Sequence, residues 1–368
     1  MIAVQQYFLT TCCFAWMALL GVAGGADEVV TIYPTYGYQD ANRWVISVRL
    51  WVHERRSLAE AAARQLSAGI GDATIEEMNN FRSRVVDFLA DSESREDVRL
   101  AFEGDPLKEH YQLTDANGDP SKSDLNGRIE GTITLSQERA DALLKSQRSQ
   151  NGWLSLNVAS KGHSGTGRVR LIAPEGISVI SDIDDTIKVT EIPAGPKIVM
   201  RNTFLRDYRM APNMSAKYRE WPDASFHYVS GGPWQMYGPL SEFLIDSKVG
   251  FPEGSFHMKS VQKNLFSKST WKDLSDLITN SEQTFDHKVT QITLIMRCFP
   301  QRKFILVGDS GEKDPEVYNA IRAEFPAQVQ EIWIRDIVND RELHADRLAG
   351  MQIIPALTVQ RGVSQFEK

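Results

Sequence analysis

Four polar residues of the types that metal-assisted chemistry uses follow one short apolar run in this sequence. They lie in the stretch ISVISDIDDTIK at residues 177–188 and are Asp182, Asp184, Asp185 and Thr186. The apolar residues just before them are typical of a strand that is buried on both faces of a parallel sheet. Three carboxylates at the end of such a strand are costly to hold together unless a cation or a proton compensates them. Because ligands bind at this end of strands in open α/β sheets, the stretch predicts a metal-assisted reaction.

Further polar residues follow apolar runs later in the chain. Ser230 follows FHYV and Asp309 follows KFILVG, while Asp314 opens a helical pattern whose next residue is Pro315. Lys288 begins another helical pattern shortly before the Asp309 strand. Each has an ordinary explanation, since serine is common in turns, Asp before Pro is a good helix start, and a lysine near a helix end is usually solvated. A functional site is favoured because all of them would meet at one edge of a parallel sheet.

Residues 175–368 alternate between short apolar runs and helical patterns. The predicted strands are 177–181, 226–229, 303–307, 330–334 and 353–359. Helical patterns lie between several of them, at 240–245, 271–278, 288–299, 316–325 and 343–348. Strands separated by helices imply right-handed crossovers. We therefore expect an α/β domain with a mainly parallel sheet and helices on both faces.

The preceding region, residues 27–174, shows alternation with a period of two instead. Every second residue from Trp44 to Val52 is apolar, and shorter alternating runs recur up to residue 171. This pattern predicts antiparallel strands buried on one face, and hence a β-rich, sandwich-like domain. We find no catalytic group of residues in this half of the sequence.

A helical insertion interrupts the β-rich region at about residues 57–91. Its second half carries apolar residues on one helical face, and Thr74 with Glu77 has the spacing of a capping box. We expect a helical hairpin that packs on the β-rich domain, with the apolar face as core.

The N-terminal segment and the overall charge limit location and partners. Residues 1–26 contain no Asp, Glu, Lys or Arg, and residues 8–22 are largely apolar. This predicts a secretory signal peptide that is cleaved near Ala23 or Ala26, and thus an exported (periplasmic or secreted) protein, with an uncleaved membrane anchor as the alternative. The formal net charge of −7 argues against a nucleic-acid partner, because no basic field engages the phosphates.

Taken together, the ordered motifs resemble a known superfamily. D-x-D-x-T after one strand, Ser after a second, a Lys, and G-D-x-x-x-x-D after a third form the motif set of haloacid dehalogenase (HAD) phosphatases. SDIDDTIK, YVSGGPWQMY, FILVGDSGEKDPEVY and EFPAQVQEIWIRDI resemble more narrowly the App1-type phosphatidate phosphatase catalytic domain, over about residues 170–340. The resemblance implies a HAD-like, Rossmannoid parallel sheet and a Mg²⁺-dependent phosphatase.

The resemblance also implies catalytic roles. Asp182 matches the nucleophile that becomes an aspartyl-phosphate, and Asp184 matches the general acid/base. Thr186 supports the motif loop, Ser230 hydrogen-bonds the transferring phosphoryl group, and Lys288 neutralises its charge. Asp184 must carry a proton at the first step, and we expect the neighbouring carboxylates to favour this by raising its pKa.

Four residues are implied at the metal. Asp309 would coordinate Mg²⁺ together with Asp182 and the backbone carbonyl of Asp184. Asp314 would support the metal through water or through the ligands themselves. Carboxylate and phosphate oxygens are the ligands that Mg²⁺ prefers.

Access to such a site would depend on residues 191–222, where basic and apolar residues alternate and no large cap is evident. This composition suits an amphiphilic phosphate ester, and an ordinary mobile loop is the alternative. Met258 and Lys259 lie in a stretch where we expect more arginine in close relatives. This difference affects the prediction of the substrate and not that of the reaction type.

Three functions remain open from the sequence. The first is a phosphatase for phosphatidate or a related lipid phosphate, with transient contact to a membrane surface. The second has the same chemistry on a soluble phosphomonoester or phosphoprotein. The third is an exported binding protein whose phosphatase site is vestigial.

Overall fold

The structure is a computed structural model that describes residues 28–54, 61, 63–64, 73–245, 249–260 and 281–356. The predicted signal peptide and the predicted helix at 271–278 lie outside the described residues. So do most of the first helix of the insertion and the end of the last predicted strand.

The β-rich domain is built on one hydrogen-bonded sheet, and the alternation predicted its largely antiparallel strands. Its strands are β1 (Glu28–Ile32), β2 (Thr35–Asp40), β3 (Arg43–Glu54), β4 (Asp91–Ser92), β5 (Arg99–Phe102), β6 (Tyr111–Gln112), β7 (Arg128–Ser136), β8 (Trp153–Val158), β9 (His163–Ser164) and β10 (Thr166–Leu171). The order is β6-β5-β8-β10-β2-β3-β1-β9, with β4 and β7 also paired to β3. Most pairs are antiparallel, and β1–β9 and β10–β2 are parallel.

The alternating residues of the long strand β3 explain why this sheet encloses a core. Trp44, Ile46, Val48 and Leu50 are buried, whereas the residues between them are partly exposed. The buried set packs with the inward residues of β5, β7, β8 and β10 in one apolar cluster. Helix α2 (Gln137–Ser146) covers part of this cluster and begins at Ser136, whose hydroxyl accepts a hydrogen bond from the Arg139 amide.

Helix α1 (Ile75–Val85) is the described part of the helical insertion. It starts with the predicted capping box, in which Thr74 and Glu77 exchange hydrogen bonds of 3.1 and 3.0 Å. The prediction that the insertion packs on the β-rich domain is wrong for this helix, because its main contacts are with residues 201–208 of the second domain. Asn80 donates to the carbonyl of Leu205, for example, at 2.9 Å.

The second domain contains a parallel sheet, as predicted, with six strands instead of the five that the sequence indicated. Its strands are β11 (Ile177–Ser181), β12 (Ser225–Pro233), β13 (Gly254–Lys259), β14 (Lys303–Asp309), β15 (Val329–Asp336) and β16 (Gln352–Pro355), in the order β13-β12-β11-β14-β15-β16. The helices are α3 (Pro196–Met200), α4 (Met214–Tyr218), α5 (Tyr237–Ile245), α6 (Ser281–Cys298), α7 (Asp314–Glu324) and α8 (Asp340–Leu343).

Helices cover both faces of this sheet, which is why its strands are apolar without alternation. Val179 and Ile305 face one apolar cluster, which includes residues of α3, α4 and α5. Ile180 and Leu306 face another, which includes residues of α6 and α7. The chain is thus a mixed α/β protein with a parallel sheet and a separate, largely antiparallel sheet.

Strand β13 was not predicted from the sequence. It carries Ser255, His257 and Lys259 among its apolar residues, and all three are buried. A hydrogen-bonded chain satisfies the first two, since Ser255 Oγ lies 2.8 Å from His227 Nδ1 and 2.9 Å from His257 Nε2. Residues 255–259 alternate between polar and apolar side chains, which is a strand signal that the sequence analysis missed.

Among the residues that the structure describes, we find no helix with the length and hydrophobicity of a membrane span.

Candidate active site

The order of the parallel strands brings the predicted site residues to one edge of the sheet. Strands β12, β11 and β14 are neighbours, and Ser230, Asp182 and Asp309 lie at their carboxyl ends. The amide of Asp182 donates to the carbonyl of Val307 at 2.9 Å, which fixes the start of the motif loop against β14. Asp182 is 1% exposed, and Ser230 and Asp309 are fully buried.

Three carboxylates lie together at this edge. Asp182, Asp309 and Glu312 each offer one oxygen within 4.8 Å of the others. Among the described residues, Oδ2 of Asp182 and Oδ2 of Asp309 have no hydrogen-bond partner. Burial raises the pKa of both aspartates well above its ordinary value, and the neighbouring carboxylates raise it further. Buried carboxylate oxygens without donors fit a hard divalent cation such as Mg²⁺.

Glu312 is the member of this group that sequence reasoning missed. The loop after β14 folds back on Asp309, whose Oδ1 accepts hydrogen bonds from the amides of Gly311 and Glu312 at 2.6 and 3.3 Å. Burial raises the pKa of Glu312 to about 7. Its only signal in the sequence was a carboxylate between the two motif aspartates of GDSGEKD.

Lys288 lies among the carboxylates, as its place in the motif set implied. Its Nζ is 2.8 Å from Asp182 Oδ1 and 2.5 Å from Asp314 Oδ1. Burial lowers the pKa of Lys288, but the surrounding carboxylates outweigh this and raise it well above its usual range. The ammonium therefore stays charged beside the predicted nucleophile.

Asp314 is placed beside Lys288 and not in the group of three carboxylates. While Oδ1 contacts the ammonium, Oδ2 accepts the amide of Asp309 at 3.2 Å. Asp314 is fully buried. It positions Lys288 and Asp309, and a contact to a metal would have to run through these groups or through water.

Asp184 is held by a lysine that the sequence analysis did not single out. Lys188 Nζ lies 2.8 Å from Asp184 Oδ1, and the Thr190 hydroxyl donates to the same oxygen at 2.6 Å. Burial raises the pKa of Asp184, but the charge and hydrogen bond of Lys188 and the bond from Thr190 outweigh it, and the pKa falls below its ordinary value. The prediction of a raised pKa is thus wrong for the structure as it stands, because Lys188 is buried next to this carboxylate.

Asp185, which had no assigned role, organises the motif loop. It has a left-handed backbone with φ of 54°. Its carboxylate accepts hydrogen bonds from the amides of Thr190, Glu191 and Ile192 at 2.6–2.8 Å. Its carbonyl accepts from Arg335 Nη1 at 2.6 Å. Asp185 therefore fixes the start of the segment that follows the loop.

Ser230 contacts the site, and Thr186 is buried in the motif loop. Ser230 Oγ accepts the amide of Gly232 at 3.0 Å and lies 3.4 Å from Asp184 Oδ2, to which it donates. Thr186 is fully buried, and its hydroxyl has no hydrogen-bond partner among the described residues. Ser230 thus faces Asp184 across the gap between β12 and β11.

Lys259 ends β13 at the same edge. It is 7% exposed, and its Nζ donates to the Thr284 hydroxyl at 2.6 Å. Burial lowers the pKa of Lys259 to about 8. The position at which relatives were expected to carry arginine is therefore a buried cation beside the site.

Residues 191–222 form a packed layer over this edge. The layer contains the 3₁₀-helix Ile192–Ala194, α3, the π-helix Arg201–Leu205 and α4. Its apolar residues Phe204, Leu205 and Met214 are buried in the core, so they are not available to line an entrance. Helix α1 lies against it, and Phe81 and Phe88 of the insertion contact the ring of Phe204.

A cavity of about 1030 Å³ lies beside this layer and reaches the motif loop at Asp185. Its wall combines basic, acidic and apolar side chains, among them Arg209, Arg341, Glu191, Glu342 and Met210. A much smaller cavity, of about 20 Å³, reaches Asp184 and Lys188. Nearly all of the site is closed, and Asp184 and Glu312 have the most exposed carboxylates, at 15% and 10%.

Comparison with known proteins agrees with the motifs. Residues 177–336 match the family described as "Phosphatidate phosphatase APP1, catalytic domain". The phosphatidate phosphatase APP1 of Saccharomyces cerevisiae is 34% identical over 191 residues, which are 50% of this chain and 30% of that protein. An uncharacterized protein of Schizosaccharomyces pombe is 30% identical over 178 residues, covering 47% of this chain and 27% of its own length.

The second domain therefore contains an App1-type catalytic domain. The chain spans less than a third of the length of the curated relatives it matches. A solved carbohydrate esterase structure aligns with 83% of this chain and 87% of its own chain at 11% identity, with a TM-score of 0.20.

Proposed function

We propose that this protein is a Mg²⁺-dependent phosphatase of the HAD type, which hydrolyses phosphatidate or a related lipid phosphate through an aspartyl-phosphate on Asp182. The observation that carries the proposal is the buried group of Asp182, Asp309, Glu312 and Lys288 at the carboxyl edge of a parallel sheet. The match of the domain to the App1 family, whose yeast relative is named a phosphatidate phosphatase, supports it.

Asp182, Asp309 and Glu312 are the residues that would hold Mg²⁺, with the backbone carbonyl of Asp184 as a further oxygen. When bound, the ion supplies the positive charge that offsets repulsion between a carboxylate nucleophile and an anionic phosphate. Asp314 and Lys288 keep the remaining charges of the site in balance, because each is already paired with the other.

In the first step, Asp182 forms a bond to phosphorus as the bond from phosphorus to the leaving oxygen breaks. Asp184 donates its proton to that leaving alkoxide. Lys188 keeps Asp184 ionised in the free protein, and an anionic phosphate entering beside it would raise its pKa and allow it to take up the proton.

In the second step, Asp184 accepts a proton from a water molecule, which attacks the phosphorus of the aspartyl-phosphate and releases Asp182. Asp184 must be ionised for this step, and the charge of Lys188 stabilises its ionised form. Lys288 would stabilise the charge that develops on the phosphoryl oxygens, and the Ser230 hydroxyl would add a hydrogen-bond donor. Lys259 is a further cation for the same group.

The 1030 Å³ cavity supports a substrate with both charged and apolar parts. Arg341 suits an anionic group, and Met210 and Ile353 suit an acyl chain, while Glu191 lies 3.6 Å from Arg209 in the same wall. Contact with a membrane surface during substrate uptake belongs to the same proposal. Export remains a separate proposal that rests on the uncharged apolar segment 1–26.

The test is phosphate release by the purified full chain. We expect turnover of detergent-dispersed phosphatidate that stops with EDTA and returns when Mg²⁺ is added. Faster turnover of soluble sugar phosphates, nucleotides or phosphopeptides would favour the alternative substrates. Absence of release from every phosphomonoester would favour the exported binding protein with a vestigial site.

A further inference from the structure

Three residues from separate segments of the β-rich domain meet at the β9 edge of the first sheet. Glu28 begins β1 and His163 begins β9, and these strands pair in parallel with the two residues opposite each other. Glu96 lies in the loop before β5, where its amide donates to the Ser123 hydroxyl at 2.8 Å. Strand pairing and this loop contact therefore hold the three side chains together.

The side chains present ligand atoms to one another. One atom of each residue lies within 4.8 Å of the other two. His163 Nε2 is 2.7 Å from Glu28 Oε2 and 3.4 Å from Glu96 Oε2. Neighbouring ligands on a tetrahedral Zn²⁺ ion lie about 3.4 Å apart, given Zn–N and Zn–O distances of about 2.1 Å. The distance from His163 Nε2 to Glu96 Oε2 agrees with this value. A small rotation of the partly exposed Glu28 side chain would bring its distance to His163 Nε2 into agreement as well.

The contact between His163 and Glu28 is close without being a hydrogen bond. Among the described residues, neither ring nitrogen of His163 nor Oε2 of Glu28 has a hydrogen-bond partner. At 2.7 Å this means that the oxygen lies well off the axis along which the ring nitrogen donates or accepts. Ligands of one metal ion have this arrangement, because the ion occupies the axis and the other ligands lie to its side.

His163 is also too buried for water to satisfy it. Its side chain is 8% exposed, so both ring nitrogens are shielded from solvent. Within the described part of the chain, its Nε2 has only the two glutamate oxygens as charged neighbours, without hydrogen-bond geometry to either. Buried polar atoms without well-formed hydrogen bonds call for an explanation such as a bound ion.

The charges at this corner favour a cation. Two carboxylates, those of Glu28 and Glu96, lie beside the single imidazole of His163. Two carboxylates supply the negative charge that a divalent cation balances.

We propose that Glu28, Glu96 and His163 form a second metal site, in the β-rich domain and independent of the phosphatase site, which binds a divalent transition cation with Zn²⁺ as the first candidate. A mixed set of one imidazole and two carboxylates selects Zn²⁺ over Mg²⁺ and Ca²⁺, which prefer oxygen ligands alone. The ion ties the start of β1 to β9 and to the loop before β5, so its role is to stabilise this edge of the sheet.

The test measures Zn²⁺ binding to the full chain after metal removal with EDTA, at pH 7.5. The variants are His163→Gln and, as a matched control, His110→Gln, which changes an exposed histidine of the same domain. The wild type and His110→Gln are expected to bind one more Zn²⁺ per chain than His163→Gln, as measured by titration calorimetry. Equal Zn²⁺ stoichiometry in all three proteins would overturn the proposal.

Two further measurements guard against a variant that fails to fold. Thermal unfolding of the wild type is expected to rise by about 5 °C or more when Zn²⁺ is 100-fold above its Kd, and Glu96→Gln is expected to reduce this rise. In the wild type, the NMR signals of the His163 ring nitrogens shift on Zn²⁺ addition. Unchanged ring signals at saturating Zn²⁺ would contradict the site whatever the phosphatase assay gives.

Discussion

The ammonium of Lys188 lies 2.8 Å from Oδ1 of Asp184, and both groups are almost removed from solvent. The ring of Tyr208 packs against this lysine, with its centroid 4.9 Å from Nζ. Tyr208 in turn contacts Arg84 of helix α1, whose guanidinium carbon is 3.9 Å from the ring centroid. A line of contacts thus joins the helical insertion of the first domain to the proposed acid/base of the second.

Replacing Lys188 by methionine is expected to lower kcat for phosphate release by at least about 100-fold, within the range of general acid/base catalysis. Loss of the ammonium also raises the pKa of Asp184, so the acid limb of the pH–rate profile moves to higher pH. Lys217→Met, which removes a lysine that contacts Trp333 instead, is the matched control. A pH profile identical to that of the wild type would contradict a positioning role for Lys188.

Glu312→Gln is expected to increase the Mg²⁺ concentration for half-maximal activity by about 10-fold or more, because it removes one of three grouped carboxylates. Asp314→Asn is expected to act mainly on kcat, since Asp314 contacts Lys288 and the Asp309 amide. The Mg²⁺ dependence of phosphate release by the two variants separates these roles. Equal Mg²⁺ dependence in Glu312→Gln and the wild type would exclude Glu312 as a ligand.

Asp309→Asn is expected to abolish activity and yet to stabilise the metal-free protein. Burial and the neighbouring carboxylates raise the pKa of Asp309 in the folded state, so its ionisation opposes folding increasingly as the pH rises above the ordinary aspartate range. We expect urea unfolding in EDTA to require a higher urea concentration for Asp309→Asn than for the wild type at pH 7.5. Mg²⁺ should stabilise the wild type but not this variant. If the metal-free variant is less stable than the metal-free wild type, repulsion between Asp309 and the neighbouring carboxylates does not destabilise the fold.

Arg84→Met is expected to destabilise the fold and to reduce kcat together. Arg84 Nη1 donates to the carbonyls of Thr203 and Arg206 at 3.1 and 2.6 Å, and leaving such buried carbonyls without donors costs about 1–3 kcal/mol each. Ser83→Ala changes an exposed residue of the same helix and serves as the control. Urea unfolding measures the stability, and phosphate release measures kcat. If Arg84→Met shows the expected destabilisation but keeps the kcat of the wild type, α1 does not influence the site.

Two buried histidines are expected to reduce the stability of the folded protein as the pH falls below about 6.5. Burial lowers the pKa of His257 to about 3 and of His287 to about 4, so these rings stay neutral where unfolded histidines take up protons. Their contribution is complete above the unfolded pKa and declines towards the folded one, by about 2 kcal/mol per ring at pH 5. Urea unfolding of His257→Gln should show a decline between pH 7.5 and 5 that is smaller by this amount, and His110→Gln should match the wild type.

The sequence by itself determined the elements whose signals are local. The apolar run before Asp182 specified β11 because a strand buried on both faces needs no partner to be identified by its composition. The capping box of Thr74 and Glu77 was likewise visible, because both hydrogen bonds close within four residues. The convergence of Ser230, Lys288 and Asp309 on Asp182 followed from parallel strand order, and the motif wording identified the App1-type domain.

Only the tertiary structure decided which charges face one another. Glu312 and Lys188 carried no distinctive pattern, and their importance arises from burial beside Asp309 and Asp184. The short alternation of β13 was overlooked, and only the structure shows that its polar side chains are buried against partners on β12 and α6. The packing of α1 on residues 201–208, and the meeting of Glu28 with His163, join segments far apart in the chain. The periodicity of apolar residues predicts which face of a helix or strand is buried. It does not predict which other segment packs on that face, because that depends on contacts between distant parts of the chain.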